Sequence, residues 1–383
     1  MSELLTNTVK HYTDHFGQQP QAAAYAPGRV EILGNHTDYN GGYVMSAAID
    51  KGTVLVGSAL ADGNISLFAA DLKSTADYKA GDFQRDAKRG WANYILGVVQ
   101  QLQASGRTIG GFEATVHSII PLGAGLSSSA ALEVATALLL KQLYPYELDR
   151  MEIALLCQRA ENQFVGVNSG LLDQFSSVFG APDNLLFLDC VTRENEQLGL
   201  PRHDLSLVIC DSLAKHSLVG GDYNTRRSEC MAAAAHFGKE LLRDVTLEEF
   251  NARKHELPEN QRKRAQHVIE ENGRVLEARA GLKAGNAELL GELMTRSHNS
   301  SRYLFENSTP ELDFLVDTAQ TLPGCLGCRL TGGGWGGATV NLVEQQHVAE
   351  FSAALAEKYF AYSDKKVPVF VSAISDGAHT LPL

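Results

Sequence analysis

The sequence predicts an α+β protein built as two domains. Three observations carry this. The chain has 383 residues, more than one domain of ordinary size. Candidate strands and helices mix without a regular βαβ alternation. From about Glu229 to Gln320 the composition turns charged and helical, and strand-like sequence returns after it. The division falls near residue 190, giving an N-terminal domain of residues 1–190 and a C-terminal domain of residues 191–383.

The elements follow in chain order. Residues 3–17 have the spacing of an amphipathic helix. Residues 43–49 and 53–60 read as strands joined by a turn at Asp50-Lys51-Gly52. Residues 112–120 alternate like a strand. Residues 127–144 have the length and composition of a buried helix, and residues 152–164 read as another. Residues 185–189 and 205–210 are apolar strand candidates. Thr246-Leu-Glu-Glu249 has the form of a capping box, and Thr309-Pro310 that of an N-cap with proline at N1. Residues 338–343 and 367–373 close the series as strands.

Charge and cysteine usage exclude several classes. The net charge is −12, from 45 acids against 33 Lys plus Arg. That argues against nucleic acid or an anionic membrane as partner. The start, MSELLTNTVKHYTDHFG, has no basic segment followed by an apolar run, so it does not read as a signal peptide. The most apolar stretch, residues 130–144, is interrupted by Glu133 and Lys141 and is too short and too charged to span a membrane. The cysteines at 157, 190, 210, 230, 325 and 328 read as reduced thiols of a cytoplasmic protein. Cys325 and Cys328 form one CxxC with no second pair and no nearby His pair. They read as small residues before a glycine-rich turn, not as a metal site.

Three polar, glycine-rich stretches remain. Pro121-Leu-Gly-Ala-Gly-Leu-Ser-Ser-Ser-Ala130 follows a strand and opens a helix. Glycines let a backbone approach an anion, and the first amides of a helix are unpaired and point outward. Ser127, Ser128 and Ser129 can cap the helix, donate to phosphate or ligate Mg²⁺. The loop is neither a Walker A sequence nor a dinucleotide fingerprint. Alone it reads equally as a glycine turn with a serine cap. Thr331-Gly-Gly-Gly-Trp-Gly-Gly337 is either an anion-binding nest or a tight hairpin. GRVEILGNHTDYNGG, Gly28 to Gly42, suits a solvated loop or one that grips a polyhydroxylated ligand.

Read together and in order, GRV-x-x-x-G-x-HTDYN-x-G, PLGAGLSSSA and TGGGWGG resemble the galactokinases of the GHMP kinase superfamily. Trp91-Ala-Asn-Tyr94, Ala160-Glu-Asn-Gln-Phe-Val-Gly166, Gly170-Leu-Leu-Asp-Gln174 and Asp222-Tyr-Asn-Thr-Arg-Arg227 extend the resemblance over nearly the whole chain. It implies an N-terminal domain like the second domain of ribosomal protein S5 and a ferredoxin-like C-terminal domain, with the active site between them. The implied reaction moves the ATP γ-phosphoryl group to the anomeric hydroxyl of α-D-galactose.

The resemblance also implies roles. Asp173 would take the proton of the sugar hydroxyl, because a protonated hydroxyl is a poor nucleophile. Arg29 beside it would keep the aspartate ionised and offset charge on the moving phosphoryl. Asn35 and His36 would lie near the 6-hydroxyl. Asp38 would take two adjacent hydroxyls, and Tyr223 and the Gly170 backbone would line the same pocket. ATP would lie on Gly123, Ala124, Gly125, Leu126, Ser127, Ser128 and Ser129, with Trp91 stacked on adenine. Mg²⁺ would be held by Ser127 or Ser128 with Glu161. Tyr39 and Asn40 would hold the loop together. The implied partners are galactose and ATP, and the chain is expected to be a monomer.

One departure stands out. The common family form is GRVNLIGEHTDYN, whereas this chain has Glu31 in place of Asn and Asn35 in place of Glu. A neutral amide accepts a hydrogen bond about half as strong as a carboxylate does. Weaker grip on the 6-hydroxyl is therefore expected, unless Glu31 reaches the same place or the two residues bond each other with roles reversed. Ala338, where cysteine is frequent, is a small-for-small exchange. The exchange at 31 and 35 leaves open a kinase for another sugar. A non-catalytic sugar sensor should show damage in the serine loop or at Arg29 and Asp173, and all of these match.

Overall fold

The computed structural model describes residues 2–214 and 219–383, with side chains from 222 onward in the second part. The first helix, α1 (Ser2–Phe16), lies against the sheet through Leu4 and Tyr12. The strands β1 (Ala22–Leu33), β2 (Tyr43–Leu60), β3 (Asn64–Ala69) and β4 (Ser74–Lys79) follow. Next come α2 (Ala92–Ala104), β5 (Gly111–Ser118), α3 (Ser128–Leu143), α4 (Arg150–Ala160) and α5 (Leu172–Phe179). Then β6 (Asn184–Asp189), β7 (Asn195–Gly199) and β8 (Leu205–Asp211) lead to the helices α6 (Val219–His236), α7 (Leu247–Arg253), α8 (Glu259–Lys283), α9 (Ala287–Ser300) and α10 (Pro310–Ala319). The chain ends with β9 (Cys325–Leu330), β10 (Ala338–Glu344), α11 (Val348–Ser363), β11 (Val369–Ser372) and β12 (His379–Leu381).

These elements form the expected α+β architecture. One sheet runs β12-β1-β2-β5-β3-β4, with β6 on β2 and β7 on β6. Only the β3–β5 pair in it is parallel. A four-stranded antiparallel sheet runs β11-β8-β10-β9. Helix α3 packs across β1 and β2, burying Leu132, Val134, Leu139 and Leu140 against Ile32, Leu55 and Phe112. Among the described residues no helix is long and apolar enough to cross a membrane. All six cysteines are free thiols.

Several elements differ from the sequence reading. Asp50-Lys51-Gly52 is not a turn: β2 runs through it as one strand. Its first part pairs with β6 and its last part with β5, so both halves have partners without a reversal. Gly52 is small because the Tyr25 ring lies against it. The Gly28–Leu33 half of the opening motif is buried strand, and the loop begins only at Gly34. Pro27 is tolerated there because the β1–β2 register shifts between Pro27 and Arg29, and proline within a sheet belongs at such irregularities. The helix after residue 150 starts from an Asp149 capping box and passes at Glu161 into a π-helical turn. Thr246 accepts the Glu249 amide hydrogen without the return bond, while Thr309 caps α10 as expected.

A methyl group on residue 52 would fall 2.3 Å from the buried Tyr25 ring. Gly52→Ala is therefore expected to destabilise the fold by about 1–3 kcal/mol through overpacking. The check is a urea midpoint at unchanged slope; an unshifted midpoint would show that the ring moves aside freely.

Candidate functional site

The loop after β1 is held by its own residues and by α8. Gly34 turns with φ +101° where Tyr43 and Val44 leave no room for a Cβ. The Thr37 hydroxyl bridges the Gly34 and Tyr43 carbonyls, and the Asn40 amide donates to the His36 carbonyl. The Tyr39 hydroxyl meets His36 Nδ1 at 2.9 Å. Helix α8 holds the loop from below. Glu271 accepts the Gly34 and Asn35 amide hydrogens at 2.8 and 3.3 Å. Its carboxylate also takes Ser297 and Arg274. Burial opposes charge on Glu271, yet Arg274 and Arg329 hold it well below the usual carboxylate range. His267 pairs with the Asn35 carbonyl at 2.9 Å and Asn272 accepts the Tyr43 amide hydrogen at 2.9 Å.

Above this floor lies a cavity of about 340 Å³ lined by Arg29, Glu31, Asn35, His36, Asp38, Glu161, Gly170, Asp173 and Tyr223, among others. It therefore brings together the expected sugar-side residues. Asp38 accepts the Tyr39 amide hydrogen. Burial pushes its carboxyl up to about 6, with the Asp173 charge adding and backbone N–H groups opposing. Gly170 has to be glycine, since a Cβ there would lie 2.0 Å from Asp38 Oδ2.

His36 and Asn35 line the cavity with their polar atoms already engaged. His36 Nε2 faces the Gly333 carbonyl at 2.9 Å and therefore carries the hydrogen, leaving Nδ1 to accept from Tyr39. Burial drives the His36 pKa down to about 3, so the ring is neutral. The Asn35 amide donates to Glu31 and to the Gly332 carbonyl, and its oxygen accepts from Ser301 and Asn307. The bond between residues 31 and 35 anticipated from the exchange is thus present.

A second cavity, about 260 Å³, adjoins the first and is lined by both glycine loops, Ser127, Ser128 and Ser129. Arg29, Asp173 and Tyr223 line both cavities. Arg29 reaches Asp173 through Nε at 2.8 Å and Nη2 at 2.6 Å, and donates from Nη1 to the Gly125 carbonyl at 2.7 Å. Asp173 lies in the first turn of α5, whose N-cap is Leu171, so it is not a capping residue. The glycine loops touch: a Cβ on Gly332 would lie 2.6 Å from the Gly125 carbonyl.

A third cavity, about 390 Å³, shares Ser128 and Ser129 with the second and is walled by Leu72, Trp91, Tyr94, Leu122 and Leu132. Trp91 is partly buried and donates to Ser74 at 3.3 Å. The three cavities form a row: polar and acidic, then amide-rich, then apolar and aromatic.

Ser127 lines the second cavity and Glu161 the first. The Ser127 hydroxyl is buried without a hydrogen-bond partner. Glu161 is pushed up by burial and the Asp173 charge, and held down by Ser169, Gln174 and Ser129. Among the described residues no group of three or more His, Cys, Asp or Glu gathers as a cage. Mg²⁺ needs none where one carboxylate, waters and phosphate oxygens complete its shell.

The sequence reading missed the α8 support, His267, Glu271 and Arg274, and the buried Arg329 that reaches both Glu31 and Glu271. Its only trace was a helical i, i+4, i+7 stripe of charged types where a core face is normally apolar.

The family descriptions "GHMP kinases N terminal domain" and "GHMP kinases C terminal" match residues 93–181 and 278–361. The fold and site define a GHMP kinase. The "Galactokinase galactose-binding signature" matches residues 10–59. The galactokinase of Roseiflexus sp. (strain RS-1) is 42% identical over 373 residues, covering 96% of this chain and 95% of that protein. This chain belongs to the galactokinase family. The crystal structure of Lactococcus lactis galactokinase complexed with galactose superposes with a TM-score of 0.95 at 32% identity, covering 98% of this chain and 100% of that one. The mevalonate kinase of Methanococcus jannaschii, at TM-score 0.64 and 20% identity, covering 92% of this chain and 98% of that one, shares the fold.

Gly170→Ala would force the Asp38 carboxylate aside while leaving the core intact. We expect roughly a 10²-fold loss of kcat/KM for the sugar, with the melting temperature nearly unchanged. An unaltered KM would show that Asp38 does not have to stay where it is.

Proposed function

We propose that this chain transfers the γ-phosphoryl group of ATP to the anomeric hydroxyl of α-D-galactose, giving galactose 1-phosphate and ADP. The observation that carries the reading is the Arg29–Asp173 pair, which lines the sugar-side and phosphate-side cavities together.

Each cavity takes one part of the reaction. Asp38 and the Gly170 backbone hold the sugar, with Asn35, His36 and Tyr223 shaping the pocket. Asp173 accepts the proton of the anomeric hydroxyl as its oxygen bonds to the γ-phosphorus. The bond from that phosphorus to the bridging oxygen breaks, and its electron pair leaves with ADP. Arg29 hydrogen-bonds Asp173 and faces the charge that builds on the phosphoryl oxygens. Amide groups of residues 123–129 cradle the phosphates, and Trp91 packs on adenine in the apolar cavity. Ser127, Ser128 and Glu161 would hold Mg²⁺, whose charge neutralises the phosphate oxygens.

The intact serine loop, Arg29 and Asp173 favour an enzyme over a sugar sensor. Six free thiols suit the reducing cytoplasm, and the charge of −12 disfavours nucleic acid. We place the division near residue 190, although β7 and β12 still pair into the first sheet and the chain crosses to the second sheet only with β8.

The test is ADP release with Mg·ATP and a panel of galactose, galactosamine, N-acetylgalactosamine, glucose, mannose and arabinose. Galactose should be preferred. Asp173→Asn should lower kcat by roughly 10²–10⁴-fold with ATP affinity retained. Equal activity in the variant would remove Asp173 from the chemistry, and preference for another sugar would overturn the substrate.

A further inference from the structure

We infer that Glu31 is a direct ligand of the sugar and sets specificity at one hydroxyl other than the reacting one. The inference rests on the galactokinase reading above and adds a residue to it.

Hydrogen-bonding capacity separates Asn35 from Glu31. A primary amide offers two N–H hydrogens and two oxygen lone pairs. Asn35 uses all four inside the protein. Its hydrogens go to Glu31 at 3.2 Å and to the Gly332 carbonyl at 2.9 Å. Its oxygen accepts from Ser301 at 3.1 Å and from Asn307 at 2.8 Å. Asn35 has nothing left to offer a ligand. His36 is in the same position, with both ring nitrogens engaged.

Glu31 has capacity left. A carboxylate has about four acceptor sites. Oε2 takes the Asn35 amide and Oε1 faces Arg329 at 3.4 Å. About two sites stay free on a side chain that lines the sugar-side cavity. Its direction is fixed by the strand. Arg29 and Glu31 are two residues apart in a regular stretch of β1, paired with Ala48 and Ser46. Alternation puts both side chains on one face, and both line the cavity. Burial pushes the Glu31 carboxyl up to about 7, against Arg329 and Arg29. A donated sugar hydroxyl would relieve that cost by bonding to the charged form.

The occupant is therefore a polyol with a hydroxyl donor reaching Glu31. The 6-hydroxyl is expected, because the sequence resemblance places it beside residues 35 and 36. The expectation of loose recognition at C6 is then reversed: the carboxylate has moved from residue 35 to residue 31 and is still present.

The experiment measures kcat/KM at pH 8.5 for galactose and its 2-, 3-, 4- and 6-deoxy analogues, for the natural chain, Glu31→Gln and Glu31→Asp. Each ratio of galactose to analogue is taken on one enzyme preparation, so any unfolded fraction cancels. The natural chain should lose roughly 10- to 100-fold on the 6-deoxy sugar, the size expected for a hydrogen bond to a charged group. Both variants should cut that ratio at least about threefold and leave the other ratios unchanged. Where a variant is too slow to assay, the same ratios are read as Kd by calorimetry. A 6-deoxy ratio unchanged in both variants, with the other ratios also unchanged, would overturn the assignment. A Glu31-dependent ratio at C2, C3 or C4 would keep Glu31 as a ligand and correct the hydroxyl. Absence of galactose turnover in the natural chain would instead remove the galactokinase reading, and this inference with it.

Discussion

A guanidinium with 5% of its side chain exposed has to be neutralised where it lies, and Arg29 is such a group. A buried charge left without its partner costs several kcal/mol, on the order of 3–5. Arg29 meets this constraint with two bonds to Asp173 and one to the Gly125 carbonyl. Those three contacts join β1, α5 and the glycine loop before α3. They also place one carboxylate and one cation in the wall between the acidic cavity and the amide-rich cavity. The junction of three elements and the wall between the two cavities therefore rest on one side chain.

Around this pair the two sheets meet through glycine. Gly28 brings β1 against the Leu126 carbonyl, where a Cβ would be 2.6 Å away. The Gly332–Gly337 turn packs on the loop of residues 123–125 in the same manner. Sugar recognition is held from the opposite side by charge. Arg329 lies between Glu31 and Glu271, and Glu271 in turn fixes the Gly34 and Asn35 amides. A buried carboxylate kept charged by two arginines is costly to assemble and rigid once assembled. That rigidity suits a loop whose task is to hold a polyol in one orientation.

Much of this was legible in the sequence, and the reasons differ by residue. The three glycine-rich segments were readable only together, because glycine beside serine or aspartate also serves ordinary turns and caps. Each was ambiguous alone; their order made them specific. Arg29 and Asp38 could be named because they fall inside the first of those patterns, and Asp173 and Trp91 because they fall in the shorter segments that extend the resemblance. Strand β1 was not legible: alanine favours strands weakly, and Pro27 and Gly28 read as a break. Asp50-Lys51-Gly52 has the composition of a turn, and tertiary pairing on both sides overrode it. The α8 support was hard to see because His267, Glu271 and Arg274 sit in a helix that carries charged residues on every face. Only the fold shows that one stripe of it faces a loop more than 230 residues away in sequence.

The central claim is that the sugar and the phosphate chain meet at Arg29 and Asp173. A crystal structure with galactose, Mg²⁺ and a non-hydrolysable ATP analogue tests it directly. The anomeric oxygen is expected within hydrogen-bond distance of the Asp173 carboxylate, the γ-phosphate beside Arg29, and adenine against Trp91. A sugar bound with its anomeric oxygen turned away from Asp173, or a nucleotide outside the cavity formed by the two glycine loops, would contradict it.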